Sequence, residues 1–167
     1  MTGNGEIRPT RRLRVALALL GLLCALLLPA QASALSGSIR LDCHVQAGGG
    51  TLPLAGDTYA IVQIADITVE GQGGAADLTY QTRADFIGFD CNWAALTGSD
   101  RQAKARQLEA YAQENKLFTT SKTTDAKGQA SFDGLSTGLY LVSRVQVAPA
   151  NAGYLTQPIL VLSLIHI

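Results

Sequence analysis

The chain has 167 residues with 13 basic and 13 acidic side chains, so its formal net charge at pH 7 is zero. This length suits one domain. The lack of a basic excess argues against nucleic-acid binding, which needs a positively charged surface.

The first 34 residues have the layout of a secretory signal peptide. Four arginines between positions 8 and 14 precede an apolar stretch at residues 15–30, and the small residues Ala32, Ser33 and Ala34 follow. This order predicts cleavage between Ala34 and Leu35 and export by the general secretory route. A short N-terminal membrane anchor is the alternative, although the apolar stretch is shorter than the roughly 20 residues that span a bilayer.

Residues 35–162 form the predicted mature domain, which has nine basic and twelve acidic side chains. It contains two cysteines, Cys43 and Cys91. Thiols outside the cytoplasm usually form disulfides, so we predict a bond between these two. Two free buried thiols are the alternative.

Short alternating runs predict strands in the first half of the mature domain. In residues 38–45, the apolar side chains Ile39, Leu41, Cys43 and Val45 fall on one face, which is typical of a half-buried strand. Residues 58–67 form the next predicted strand, and 78–82 and 86–89 are weaker candidates. Glycine clusters near residues 48 and 71 separate these runs.

One segment has helical periodicity instead. Ser99 and Gln102 have the spacing of a capping box, which predicts a helix that starts at Ser99 and covers about residues 100–115. Its apolar face contains Ala105, Leu108, Tyr111 and Ala112. This face is narrow, so we expect it to pack against a sheet, with Trp93 in the core beneath the helix. A partner-binding helix is the alternative.

The second half returns to strands, predicted at residues 117–123, 129–132, 139–145 and 159–162. A turn at Asp125–Gly128 separates the first two, with the glycine in a left-handed position. About seven short strands with regular turns indicate a β-sandwich or barrel.

No set of residues in the sequence assembles a catalytic centre. Ser136 lies in a Gly-x-Ser-x-Gly pattern, but a nucleophile elbow precedes a helix and needs a later acid. Here a predicted strand follows, and no Asp or Glu comes after Asp133. His44 beside Cys43 offers too few ligands for zinc. We therefore expect no enzymatic activity and no catalytic, cofactor-binding or metal-binding residues.

Three segments in this order carry a family resemblance: residues 37–39 with Leu54-Ala55-Gly56-Asp57-Thr58-Tyr59, then residues 123–132, then residues 134–142. They resemble the prealbumin-like domains of sortase-assembled pilins, which are also the B-type repeats of collagen-binding adhesins in Gram-positive bacteria. The predicted helix and residues 157–161 resemble more narrowly the N-terminal domain of a pilin-like surface protein. The resemblance implies a mainly β fold: a seven-stranded immunoglobulin-like or prealbumin-like sandwich with one inserted helix.

The same resemblance implies a structural and adhesive role at the cell surface. The full-length protein would be extracellular and attached to the cell wall. Its partners would be other pilin subunits or the wall, reached through a C-terminal region missing here, and a host surface ligand. A secreted sandwich that binds a carbohydrate or a host protein is the alternative, and a groove lined by exposed aromatic side chains would favour it.

The sequence departs from the family at two places. Many such domains join a lysine of the first strand to an Asn or Asp with help from a buried Glu, but Cys43 and Ser143 stand about where that lysine and that Glu would be. We therefore expect no isopeptide bond of this kind, and hypothesise that a Cys43–Cys91 disulfide replaces it. Residues 163–167 resemble translated sequencing-adapter read-through, so we predict a non-native tail. A genuine strand end is the alternative.

Overall fold

The computed structural model describes residues 36–70 and 77–164, all within a unit that begins at Leu35. The predicted signal segment, its cleavage site at Ala34 and Leu35, and residues 165–167 lie outside these ranges. The described part has a mainly β fold, which confirms that prediction. Its elements are β1 (Gly37–Asp42), β2 (His44–Ala47), β3 (Gly50–Pro53), β4 (Thr58–Glu70), β5 (Asp77–Thr82), α1 (Gly98–Glu114), β6 (Thr120–Thr123), β7 (Gln129–Leu135), β8 (Gly138–Gln146) and β9 (Ile159–Ser163). Short 3-10 helices cover Ala84–Phe89, Trp93–Ala95 and Pro149–Asn151.

Strand β4 is the centre of a five-stranded antiparallel sheet. It pairs with β8 along one edge. Along the other edge, its first residues pair with β6 and its last residues with β5. Strand β9 pairs with the far edge of β8. Two smaller antiparallel pairs, β1 with β7 and β2 with β3, complete the strands.

The two faces of this sheet carry separate core clusters, because consecutive residues of a strand point to opposite faces. Ile61 and Val142 are register partners and belong to one cluster, whereas their neighbours Val62 and Leu141 belong to the other. The strand-side cluster contains Ile39, Leu41, Tyr59, Ile61, Ala130, Phe132, Tyr140 and Val142. The helix-side cluster contains Val62, Ile64, Ala65, Ile67, Phe86, Trp93, Ala105, Leu108, Ala112, Leu139 and Leu141.

Helix α1 covers the helix-side face, as its apolar periodicity predicts. Ala105, Leu108 and Ala112 are fully buried, and Trp93 packs in the same cluster. The predicted start at Ser99 is wrong by two residues, because the cap is Thr97, whose hydroxyl accepts a hydrogen bond from the Asp100 amide. No described helix is long and apolar enough to cross a membrane.

Three predicted strands differ from the structure. The strand predicted at residues 117–123 covers only Thr120–Thr123. Residues 86–89 form part of a 3-10 helix instead of a strand, since a short apolar run does not distinguish the two by periodicity. The predicted strand 38–45 is interrupted at Cys43. There the Cys43 amide donates to the Gly128 carbonyl and the Cys43 carbonyl accepts from the Leu54 amide.

Strand β9 includes Ser163, the first residue of the predicted non-native tail. Its side chain is buried next to Gly37, where an added Cβ would collide with Ser163 Oγ. Among buried side-chain polar atoms of residues 36–70 and 77–164, only Ser163 Oγ lacks a hydrogen-bond partner. The start of β1 and the end of β9 therefore pack directly against each other.

Candidate functional site

The most concentrated polar cluster in the described structure surrounds Asp57, which is fully buried. Its Oδ2 accepts from Arg144 Nη1 at 3.0 Å. Its Oδ1 accepts from the Ala148 amide at 2.8 Å and from Asn151 Nδ2 at 2.9 Å. Burying a carboxylate is costly unless it is paired and hydrogen-bonded, and this one is both. We call Asp57, Arg144 and Asn151 the buried polar lock.

The local chain geometry holds Asp57 in place before β4 begins. Gly56 has a left-handed φ of 83°, which reverses the chain after β3 and which glycine adopts without strain. The Asp57 amide donates to Thr124 Oγ1 at 3.0 Å, and the Thr124 amide donates to the Asp57 carbonyl at 2.8 Å. Thr124 Oγ1 also donates to the Leu54 carbonyl. The turn before β4 is thus tied to the segment between β6 and β7.

The buried polar lock also holds the segment between β8 and β9. Asn151 Nδ2 donates to the Ala55 carbonyl at 2.9 Å, and Arg144 Nη2 donates to the Tyr154 carbonyl. Ala148, Asn151 and Tyr154 all belong to this segment, while Arg144 belongs to β8. One carboxylate and its partner therefore join the turn before β4 to the end of β8 and to the segment that follows β8, about 90 positions further along the chain.

The pKa of Asp57 reports the balance of these contacts. Burial by itself raises the pKa of this carboxyl group. Hydrogen bonds from Asn151, Ala148 and Arg144, together with the Arg144 charge, outweigh burial and bring the pKa below its ordinary value. The ionised form is thus the one that the fold stabilises.

Sequence reasoning did not single out Arg144 or Asn151. The signal for Arg144 is that a charged residue closely follows the apolar run of β8, whose residues 139–142 are buried on both faces of the sheet. A charged residue at an inward position needs a buried partner. Nothing local identifies Asn151, whose partners lie more than 90 positions away.

A cleft of about 320 Å³ lies beside the buried polar lock. It is lined in part by Cys43, Leu54, Tyr59, Thr156 and Gln157. Burial raises the pKa of both Cys43 and Tyr59. We call this the Cys43 cleft, and the Cys43 thiol and Tyr59 phenol in it are neutral at pH 7.

A second cleft, of about 360 Å³, lies between the β7–β8 connection and the edge of β4. Ser136 Oγ bonds to Gln63 Oε1 at 3.2 Å and to the Tyr140 hydroxyl at 3.0 Å. Arg83 lines the same cleft and is paired with Asp66. Ser136, the serine of the Gly-x-Ser-x-Gly pattern, thus contacts an amide and a phenol, and a β-strand follows it.

The two cysteines predicted to pair are both free thiols in the structure. Cys43 packs against the strand-side cluster and Cys91 against the helix-side cluster, so the sheet lies between them. A disulfide requires Cα atoms within about 7 Å of each other. The bond predicted from the sequence is therefore not formed in this structure.

Cys43 and Ser143, the two positions compared with the lysine and the glutamate of the family's isopeptide bond, also lie on different faces of the sheet. Cys43 packs on the strand side, whereas Ser143 follows Val142 on β8, so its side chain faces the helix. There Ser143 Oγ donates to Glu109 Oε1 of α1. No described lysine Nζ lies within 4.0 Å of a carboxylate. The charged pair on the Cys43 side is Asp57 with Arg144.

The described side chains do not gather metal ligands. No group of three or more His, Cys, Asp or Glu residues in residues 36–70 and 77–164 is placed to hold a metal ion. His44 Nδ1 lies 3.1 Å from Asp42 Oδ1, and both side chains are largely solvent-accessible. His44 thus faces outward from its strand, as the alternation predicts.

Comparison with protein-family models finds none that matches this chain. Comparison with curated proteins finds no match either.

Proposed function

We propose that this chain is the N-terminal domain of a pilin subunit or a pilin-like adhesin, with a structural and adhesive role and no enzymatic activity. In this proposal, β1, β7, β2 and β3 form the second layer of a prealbumin-like sandwich that faces the five-stranded sheet. The protein is exported, its signal peptide is cleaved after Ala34, and the mature protein acts at the cell surface. Its partners are other subunits or the wall.

One observation carries the proposal: the three segments that resemble the family meet in the strand-side cluster. The three segments contribute Ile39 and Tyr59, then Phe132, then Tyr140 and Val142 to the strand-side cluster. Four strands that are separate in sequence therefore build one core from the residues that carry the resemblance. A chance likeness of short turn motifs would not require them to share a core.

The buried polar lock supports a structural role. Surface modules of this kind need a device that ties distant strands together, and here the cross-connection is noncovalent. Asp57 and Arg144 lie 87 positions apart in sequence and connect the start of β4 with β8. Removing one partner of such a pair leaves an uncompensated buried charge, so the pair resists separation.

The test follows the protein in cells that make its full-length form. Antibodies against residues 36–164 should label the cell-wall fraction, and the mature N-terminus should be Leu35. An Ala34→Lys variant is the control, because a large charged residue at the cleavage site blocks processing. Protein that stays uncleaved in the cytoplasm, or that reaches only the medium, would overturn the proposal.

The alternative, a secreted module that binds carbohydrate, rests on the cleft around Gln63 and Ser136. Its size is within the roughly 300–1,000 Å³ of small-molecule sites, and its polar groups are held by a fixed hydrogen-bond network. Its aromatic residue, Tyr140, is buried and offers no stacking face. Binding on a glycan array that is lost in Gln63→Ala and kept in Glu70→Ala would favour this alternative.

A further inference from the structure

The segment between β8 and β9, residues 147–158, crosses the surface with little apolar anchoring. Val147 and Leu155 are 41% and 94% exposed. Within residues 147–158 the buried residues are the polar Asn151 and, next to β9, Pro158. A segment with few buried apolar contacts is one that opens locally before the rest of the fold.

Polar contacts hold this segment, and most of them end at the buried polar lock. Asp57 Oδ1 accepts from Ala148 and Asn151, and Arg144 donates to Tyr154. Asn151 Nδ2 also reaches Ala55. At the end of the segment next to β9, Gln102 Nε2 of α1 donates to the Pro158 carbonyl at 3.0 Å.

The same segment forms one wall of the Cys43 cleft. Thr156 and Gln157 line it together with Leu54, Tyr59 and Cys43. Movement of residues 148–157 away from the body would remove that wall. The Cys43 thiol, which is already partly exposed, would then become more accessible to solvent. Cys91 is also partly exposed but lies on the other side of the sheet, so its accessibility would not change.

We propose that residues 147–158 are a strap that the buried polar lock holds closed over the Cys43 cleft, and that release of Asn151 from Asp57 opens this cleft without unfolding the domain. Strands β8 and β9 remain paired at their five register positions, from Gly138 to Val142, in the open form. The strap moves as a loop between two fixed strands.

The experiment measures alkylation of each cysteine by N-ethylmaleimide in the folded full chain. Cleavage after Arg40, Arg83 and Arg101 by trypsin places Cys43 and Cys91 in different peptides, so mass spectrometry gives each rate separately. In Asn151→Ala, the Cys43 rate should rise about tenfold, as expected from the loss of hydrogen bonds to a buried charged group. The Cys91 rate should stay unchanged.

Leu155→Ala is the matched control, because it alters the same segment at its most exposed side chain. It should leave both rates unchanged. The proposal would be overturned if the alkylation rate of Cys43 were unchanged in Asn151→Ala. It would also be overturned if the alkylation rates of Cys43 and Cys91 rose together.

Hydrogen exchange of the unaltered protein gives a second measurement that needs no variant. Amides of residues 148–157 should exchange while those of β8 stay protected. Exchange of both segments at one common rate would overturn the proposal.

Discussion

Asp57 and Arg144 form an ion pair that is closed to solvent, with Nη1 and Oδ2 3.0 Å apart and side-chain exposures of 0% and 8%. Asp66 and Arg83 form a second pair at a similar distance, 3.1 Å, but their side chains are 52% and 46% exposed. The two pairs differ in solvation much more than in geometry. They therefore give an internal comparison for what burial does to an ion pair.

Removal of the buried carboxylate should be far more harmful than removal of the exposed one. Asp57→Ala leaves the Arg144 charge buried without a partner, so we expect the free energy of unfolding to fall by about 3–5 kcal/mol. Asp66→Ala should lower it by about 1 kcal/mol or less, because solvent screens that pair. Urea unfolding at pH 7 measures both, and equal losses would contradict the importance of burial.

The buried polar lock also predicts how stability changes with pH. The folded-state pKa of Asp57 is lowered from its ordinary value of 3.8, so its contribution is fully present above that value and is lost as pH falls through the folded pKa. The stability difference between the unaltered protein and Asp57→Asn should be constant from about pH 7 to pH 5 and should narrow below about pH 4. A difference that stays constant down to about pH 2.5 would contradict this assignment.

Two glycines with the same left-handed backbone should respond differently to alanine. Gly128 and Gly134 have φ values of 73° and 74°, so either substitution costs about 1–2 kcal/mol in backbone strain. A Cβ at Gly128 would also collide with the Cys43 carbonyl oxygen, whereas none of the atoms around Gly134 lies within 4 Å of such a Cβ. We expect Gly128→Ala to cost at least about 1 kcal/mol more than Gly134→Ala. Thermal or urea unfolding of the two variants gives this difference directly.

The start of α1 gives a third paired comparison. Thr97→Ala removes the hydroxyl that caps the Asp100 amide and should cost about 1 kcal/mol. Ser99→Ala changes an exposed residue inside the first turn and should cost less than about 0.5 kcal/mol. If Ser99→Ala were the more harmful change, the cap would lie where the capping-box spacing first suggested.

The state of the cysteines is decided by intact mass under non-reducing conditions after maleimide labelling. Because Cys43 and Cys91 contact clusters on opposite faces of the sheet, we expect both thiols to be free. The domain should then take up two maleimide labels when it is denatured without reductant. A disulfide would leave both positions unlabelled. That result would require a rearrangement of the strands around Cys43.

Local patterns predicted those elements whose signals lie within a few residues. The helix face of Ala105, Leu108 and Ala112 and the turn at Gly128 are both confirmed, because periodicity and a left-handed glycine are properties of neighbouring residues. Local patterns failed at residues 86–89, where Phe86 is buried and Ile87 is exposed within a 3-10 helix. An apolar pair of this kind fits a strand equally well, so only its packing against Tyr111 of α1 distinguishes the two.

The sequence by itself determined the mainly β character, helix α1 and the inward face of β1, since these depend on the order of apolar and polar side chains along short stretches. Only the tertiary structure decided that Asp57, Arg144 and Asn151 form one buried polar lock, and that Cys43 and Cys91 lie on opposite faces of the sheet. The physical reason is distance along the chain. Hydrogen bonds and ion pairs between residues about 90 positions apart depend on how strands pair and which face each side chain takes, and no local pattern records that choice.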